Sequence, residues 1–109
     1  MDKKVIATSN APAAIGPYSQ AIEVNGFIYA SGQIPIIPQT GELAVGIEAQ
    51  TRQVLNNVKA IMEAAGLSMA NIVKTVVFIK DMNDFATVNE IYASFFDGEY
   101  PARSCMEVC

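Results

Sequence analysis

Few side chains in this 109-residue chain are equipped for chemistry, and they gather in three stretches: GPYSQ (16–20), YASGQIP (29–35) and PARSCMEV (101–108). Arg103 stands out first, one of two arginines, between a proline and a run that reads as a β-strand. A guanidinium is planar and offers a fork of donors that can grip a carboxylate bidentately. The chain has no histidine, which removes the commonest general base and the commonest metal ligand. Cys105 and Cys109 cannot make a zinc site by themselves. On one strand they would sit about 13 Å apart, beyond disulfide reach. Metal: none is expected. A Ser-His-Asp hydrolase or a zinc hydrolase is poorly served by this residue set.

Each of these residues also has a bland reading. Arg103 alone reads as a surface or interface ion pair, with Glu99 and Glu107 as nearby partners. Cys105 alone is a small buried hydrophobe. Tyr18 after Gly16-Pro17 is a packed loop aromatic, and Ser31 before Gly32 is turn chemistry. Only the three stretches taken together raise Arg103 above these readings.

The elements that must position them follow from periodicity. In AIEVNGFIYASG (21–32), Asn25-Gly26 separates two β-rich runs, the signature of a type I′ hairpin that needs positive φ at both positions. QIPIIPQTGELAV (33–45) carries two prolines and a QTGE turn, a loop with an edge strand at most. Val54, Leu55, Val58, Ile61, Met62 and Ala65 recur at helical spacing within 48–66, and Gly66 is placed to end that helix in the left-handed region. NIVKTVVFIK (71–80) is a strand with apolar residues on both faces. Phe85, Val88, Tyr92, Phe95 and Phe96 stripe a second helix over 83–98, capped by Asn83 or Asp84. ARSCMEVC closes the chain as a strand. The order β-β-α-β-α-β predicts an α+β class, an α/β sandwich of one mixed β-sheet with two helices packed on one face.

Composition bounds the rest. The length admits a single domain, residues 1–109. Hydrophobic residues make up 51% and mean hydropathy is +0.27, a surplus that so short a chain buries only in part. No apolar run approaches the roughly 18 residues of a membrane span, and Thr8, Ser9 and Asn10 interrupt any signal-type segment. The surplus therefore predicts partner subunits covering the second sheet face in a cytoplasmic oligomer. Net charge −4 and a pI near 4.6 disfavour nucleic-acid binding.

The three stretches, in their order and spacing, resemble the RidA (YjgF) family, and the resemblance runs over essentially the whole chain. PARSCMEV carries the specific signature; SGQIP and GPYSQ are weaker. The resemblance implies a chorismate-mutase-like fold and a homotrimer with sheets facing inward and intersubunit ligand clefts. It implies hydrolysis of reactive 2-imino or 2-enamino acids, such as 2-iminobutanoate and 2-iminopropanoate, to 2-keto acids and ammonia, with no cofactor. By the same resemblance Arg103 holds the substrate carboxylate, Tyr18 is the catalytic tyrosine supplied across the interface, Ser31 and Gly32 line the cleft, and the Cys105 backbone faces the ligand. The family continues into a further strand bearing a water-positioning glutamate, which the sequence through Cys109 lacks. Physical chemistry is compatible: a protonated imine is already electrophilic, so orientation and a proton path suffice. The alternatives are a non-catalytic regulator that binds small carboxylates, or an endoribonuclease and translation inhibitor.

Overall fold

The hairpin forms at the predicted dipeptide. In the computed structural model, which describes residues 2–109, Asn25 has φ 51° and Gly26 φ 78°. Both central residues of the turn are thus left-handed, matching the twist of the strands they join. Strand β2 (Ala21–Val24) runs antiparallel to β3 (Phe27–Ala30), with Val24 opposite Phe27 and Ala21 opposite Ala30. A strand not anticipated from the sequence, β1 (Lys3–Ile6), pairs antiparallel with the other edge of β2. Its KKVI run is too short for alternation to declare itself.

Helix α1 (Ile47–Ala64) follows a loop that folds on itself through an Ile36–Leu43 bridge and a turn closed by the Thr40 and Gly41 N–H groups on the Ile37 carbonyl. It ends as expected. Gly66, at φ 78°, donates from its N–H to the Glu63 carbonyl, and the Leu67 N–H reaches the Met62 carbonyl at 2.8 Å, a Schellman closure. Strand β4 (Lys74–Ile79) pairs in parallel with β5 (Ala102–Glu107), setting Thr75 beside Arg103 and Val77 beside Cys105. Between them lies α2 (Phe85–Ser94), shorter than the predicted 83–98. The expected caps shift: Asp81 Oδ1 accepts from the Asn83 N–H at 2.9 Å and caps a single 3₁₀ turn over Met82–Asp84 that leads into the helix, while Asp84 makes no side-chain cap.

The α+β class is as predicted, with one correction. The strands form two hydrogen-bonded sheets, β1-β2-β3 and β4-β5, instead of one continuous mixed sheet. The physical reason lies in the outer edges of β3 and β4, which carry no ladder to each other. Helix α1 holds the two sheets together. Its Ile61 and Met62 pack with Ile6 and Ala21 of the three-stranded sheet, and its Leu55 packs with Tyr92 and Phe96 behind the parallel pair. Both helices thus lie on one side. The opposite side exposes Val5, Phe27, Tyr29, Val76, Phe78 and Met106.

Two buried amides fix the loops. Asn57, fully buried, donates through Nδ2 to the carbonyls of Ile34 and Ile36 and accepts from Gln53 Nε2. It clamps the 34–36 segment to α1. Gln20 accepts from the Thr8 N–H and donates to the carbonyls of Thr8, Ala11 and Pro12, tying the N-terminal loop to the start of β2. The Ala102 N–H reaches the Val73 carbonyl, and the Val108 N–H the Ile79 carbonyl. In a parallel ladder this alternation aims the N–H and C=O of Thr75, Val77 and Ile79 at β5, and those of Lys74, Val76 and Phe78 at the outer edge of β4. That edge opens onto a groove of about 790 Å³ floored by Val54, Leu55 and Val58 of α1.

Candidate active site

Register decides where Arg103 points. It pairs with Thr75, and Thr75, like Val77 and Ile79, faces the helices, so the guanidinium lies against α2. That helix presents Phe85, Asn89 and Tyr92 at i, i+4 and i+7, one face of two turns. All three touch the arginine. Its Nη1 donates to Asn89 Oδ1 at 2.6 Å, and its central carbon lies 4.9 Å from the Tyr92 ring centroid and 5.4 Å from that of Phe85. The Tyr92 hydroxyl is in turn bonded to Thr75 Oγ1 at 2.7 Å. Arg103 is half-buried.

The charge of this guanidinium is unanswered. Arg52, the other arginine, meets Glu48 one helical turn away at 3.7 Å. No carboxylate among the described residues approaches Arg103, so the ion pair with Glu99 or Glu107 does not form. Glu107 instead accepts from the Met82 N–H at 2.8 Å. A guanidinium seated by an amide and two ring faces keeps its remaining donors for an anion from outside.

Cys105 is half-buried and unbridged, two residues further along the same face of β5. Because the even-numbered residues of β5 make the ladder to β4, the Cys105 N–H and C=O point to the outer edge of β5. That is where a ligand could meet its backbone. Among the described residues no group of three or more Cys, Asp or Glu side chains is placed to hold a metal ion.

Tyr18, Ser31 and Gly32 form a second group. The Ser31 hydroxyl donates to the Ser19 carbonyl at 2.6 Å, and the Ser31 N–H to the Gln20 carbonyl at 3.0 Å. The end of β3 is thereby tied to the GPYSQ loop. Tyr18 is half exposed and lines a cavity of about 440 Å³ with Thr8, Ser9, Ser19 and Gln20. Around Gly32 there is open space, since a Cβ built there meets nothing within 4 Å.

Within one chain the two groups do not meet: among the described residues no hydrogen bond or ring contact joins Tyr18, Ser31 or Gly32 to Arg103 or Cys105. Neither group lines the 790 Å³ groove, although Tyr92 and Thr75 reach its wall. The sequence reading missed Phe85, Asn89 and Tyr92 as the seat of Arg103. Phe85 and Tyr92 read as core stripe, and Asn89 falls on their face of the helix, a placement that the spacing alone could have revealed.

A profile described as Endoribonuclease L-PSP matches residues 8–109. The chain is 59% identical over 108 residues to the 2-iminobutanoate/2-iminopropanoate deaminase of Escherichia coli K12, covering 96% of this chain and 84% of that protein. Among solved structures, YyfA of Yersinia pestis, described as a protein of unknown function of the conserved Rid protein family, superimposes with a TM-score of 0.96 at 57% identity, over 98% of this chain and 86% of that one. E. coli TdcF with bound serine gives 0.93 at 53% identity, over 96% and 85%. The chain belongs to the Endoribonuclease L-PSP family of RidA-type proteins.

Proposed function

We propose that this chain is a hydrolase that converts reactive 2-imino acids, 2-iminobutanoate and 2-iminopropanoate among them, to 2-keto acids and ammonia. The observation that carries the reading is the Arg103 guanidinium, pre-oriented by Asn89, Tyr92 and Phe85 and paired with no carboxylate among the described residues. The deaminase name of the E. coli relative supports it.

Arg103 grips the substrate carboxylate, which sets the adjacent C=N carbon at a fixed place beside β5. The nitrogen is protonated, so the carbon is electrophilic before any catalyst acts on it. Water adds to that carbon and forms a C–O bond as the C=N π pair moves to nitrogen. One proton of that water passes to the nitrogen, which then leaves the carbinolamine as ammonia, and the remaining hydroxyl proton is released as the C=O forms. Nothing is oxidised or reduced. Positioning supplies most of the rate in such a reaction. Tyr18 is assigned the proton-carrying role and, with Ser31 and Gly32, comes from the neighbouring subunit of a homotrimer, because one chain holds the two groups apart. The Cys105 backbone completes the cleft. No organic cofactor or metal enters any step. A cytoplasmic location agrees with the two unbridged cysteines.

The test generates 2-iminobutanoate in situ with an amino-acid-consuming enzyme and follows 2-oxobutanoate release with and without this protein. Acceleration in proportion to protein concentration is expected; a rate equal to spontaneous hydrolysis would sink the reading. A second reading, binding of small amino or keto acids without turnover, is favoured by the relative solved with serine. Saturable 2-oxobutanoate binding without acceleration would establish it.

A further inference from the structure

We infer that Tyr92 is a positioning residue for Arg103, and that Thr75 on β4 sets the angle of its ring. The inference rests on the carboxylate-gripping role of Arg103 and says how that grip is built. Tyr92 is buried in the cluster of Leu55, Met69, Ile91 and Phe96. A phenylalanine or leucine would fill that space as core. The hydroxyl is the anomaly, since a buried phenol needs a partner, and its partner is Thr75 Oγ1 at 2.7 Å. That bond lies across the strand-helix boundary and stops rotation about the ring's tilt. Phe96 closes the other approach, with ring centroids 4.9 Å apart and planes at 44°. The ring fixed in this way lies 4.9 Å from the guanidinium carbon, well within cation–π range. Thr75 is also the register partner of Arg103. One residue of β4 therefore acts on the arginine twice, through the ladder that holds its chain neighbours Ala102 and Ser104 and through the aromatic ring.

The consequence is that the Thr75 hydroxyl, which bonds to Tyr92 and not to Arg103, should affect carboxylate binding. Three variants separate this from a merely structural role. Thr75→Val keeps shape and removes the hydroxyl. Tyr92→Leu removes the ring face. Ile91→Val loosens the same cluster without touching the chain Thr75–Tyr92–Arg103. Affinity for 2-oxobutanoate is measured by calorimetry, thermal midpoints are measured alongside, and the Arg103 side-chain Nε–H resonance, which the ring current of Tyr92 displaces, is followed by NMR. Thr75→Val should weaken binding about threefold and Tyr92→Leu about tenfold, as loss of one hydrogen bond and one cation–π contact imply. Both should move the Arg103 resonance. Ile91→Val should lower the midpoint while leaving affinity and resonance in place.

Should Tyr92→Leu fail to fold, Thr75→Val decides. Affinity and resonance of Thr75→Val indistinguishable from those of Ile91→Val would overturn the inference. If the unaltered protein shows no affinity for 2-oxobutanoate, the carboxylate reading falls and the role of Tyr92 in ligand binding falls with it. The resonance shift would then report a purely structural platform, so the two failures are told apart.

Discussion

Arg103 is held by geometry and not by opposite charge, and that difference predicts how it tolerates replacement. Lysine retains the charge but has neither a planar face for Tyr92 and Phe85 nor a fork for a carboxylate. Arg103→Lys should therefore lose most imine hydrolysis, on the order of a hundredfold or more, since misplacement of the reacting group is costly. The fold should survive, because the residue is half-buried and has no ion pair to lose. Steady-state rates with a far-ultraviolet circular dichroism control check both halves, and near-normal turnover would rule out the clamp. The sequence singled out the arginine only through the three stretches taken together, and its role as a clamp is what this variant tests. Its seat was not legible, because a helical stripe such as Phe85, Val88, Tyr92 has the same spacing whether it faces core or cation.

At the level of elements, local chemistry was readable and long-range chemistry was not. The Asn25-Gly26 turn and the Gly66 stop declare themselves, because only a few residues accept positive φ. Strand β1 escaped notice, since four residues give too little alternation. Asn57 escaped for another reason: its burial depends on the 34–36 segment returning to α1, which no local pattern encodes. Its replacement provides a sensitive test. Asn57→Leu takes the amide donor from the part-buried Ile36 carbonyl, while the Ile34 carbonyl keeps the Ile36 N–H, at a cost of about 1–3 kcal/mol. Urea unfolding should show that loss with an unchanged denaturant slope. A change below about 0.5 kcal/mol would mean that water reaches those carbonyls.

For the whole molecule, the side of the sheets away from the helices is the feature from which assembly is predicted. Phe78 is 62% and Tyr29 65% exposed, with Val5, Val76 and Met106 beside them. An apolar surface of this kind marks an interaction site, and a closed ring buries one such patch per subunit. Light scattering at micromolar concentration should give about three times the 11.7 kDa chain mass; a stable monomer would remove both the assembly and the intersubunit cleft. The same surface gives little purchase for nucleic acid. With net charge −4, the protein should not retain RNA at about 150 mM salt. RNA cleavage that co-purifies with the oligomer and vanishes in Arg103→Ala would contradict this and revive the nuclease reading.

The one-sided pairing of β4 leaves a mark that solvent deuterium can read. Amides of Thr75, Val77 and Ile79 point into the ladder with β5, while those of Lys74, Val76 and Phe78 point into the groove. Along a single strand the exchange rates should therefore alternate, slow and fast, residue by residue, instead of rising smoothly toward the ends. The alternation is a reporter of occupancy. In any assembly or complex that lays an extended segment along that edge, the fast amides become slow and the zigzag flattens. Residue-resolved exchange on the free and assembled protein would show it directly, and uniform protection across 74–79 in the isolated chain would mean that the outer edge of β4 is already covered.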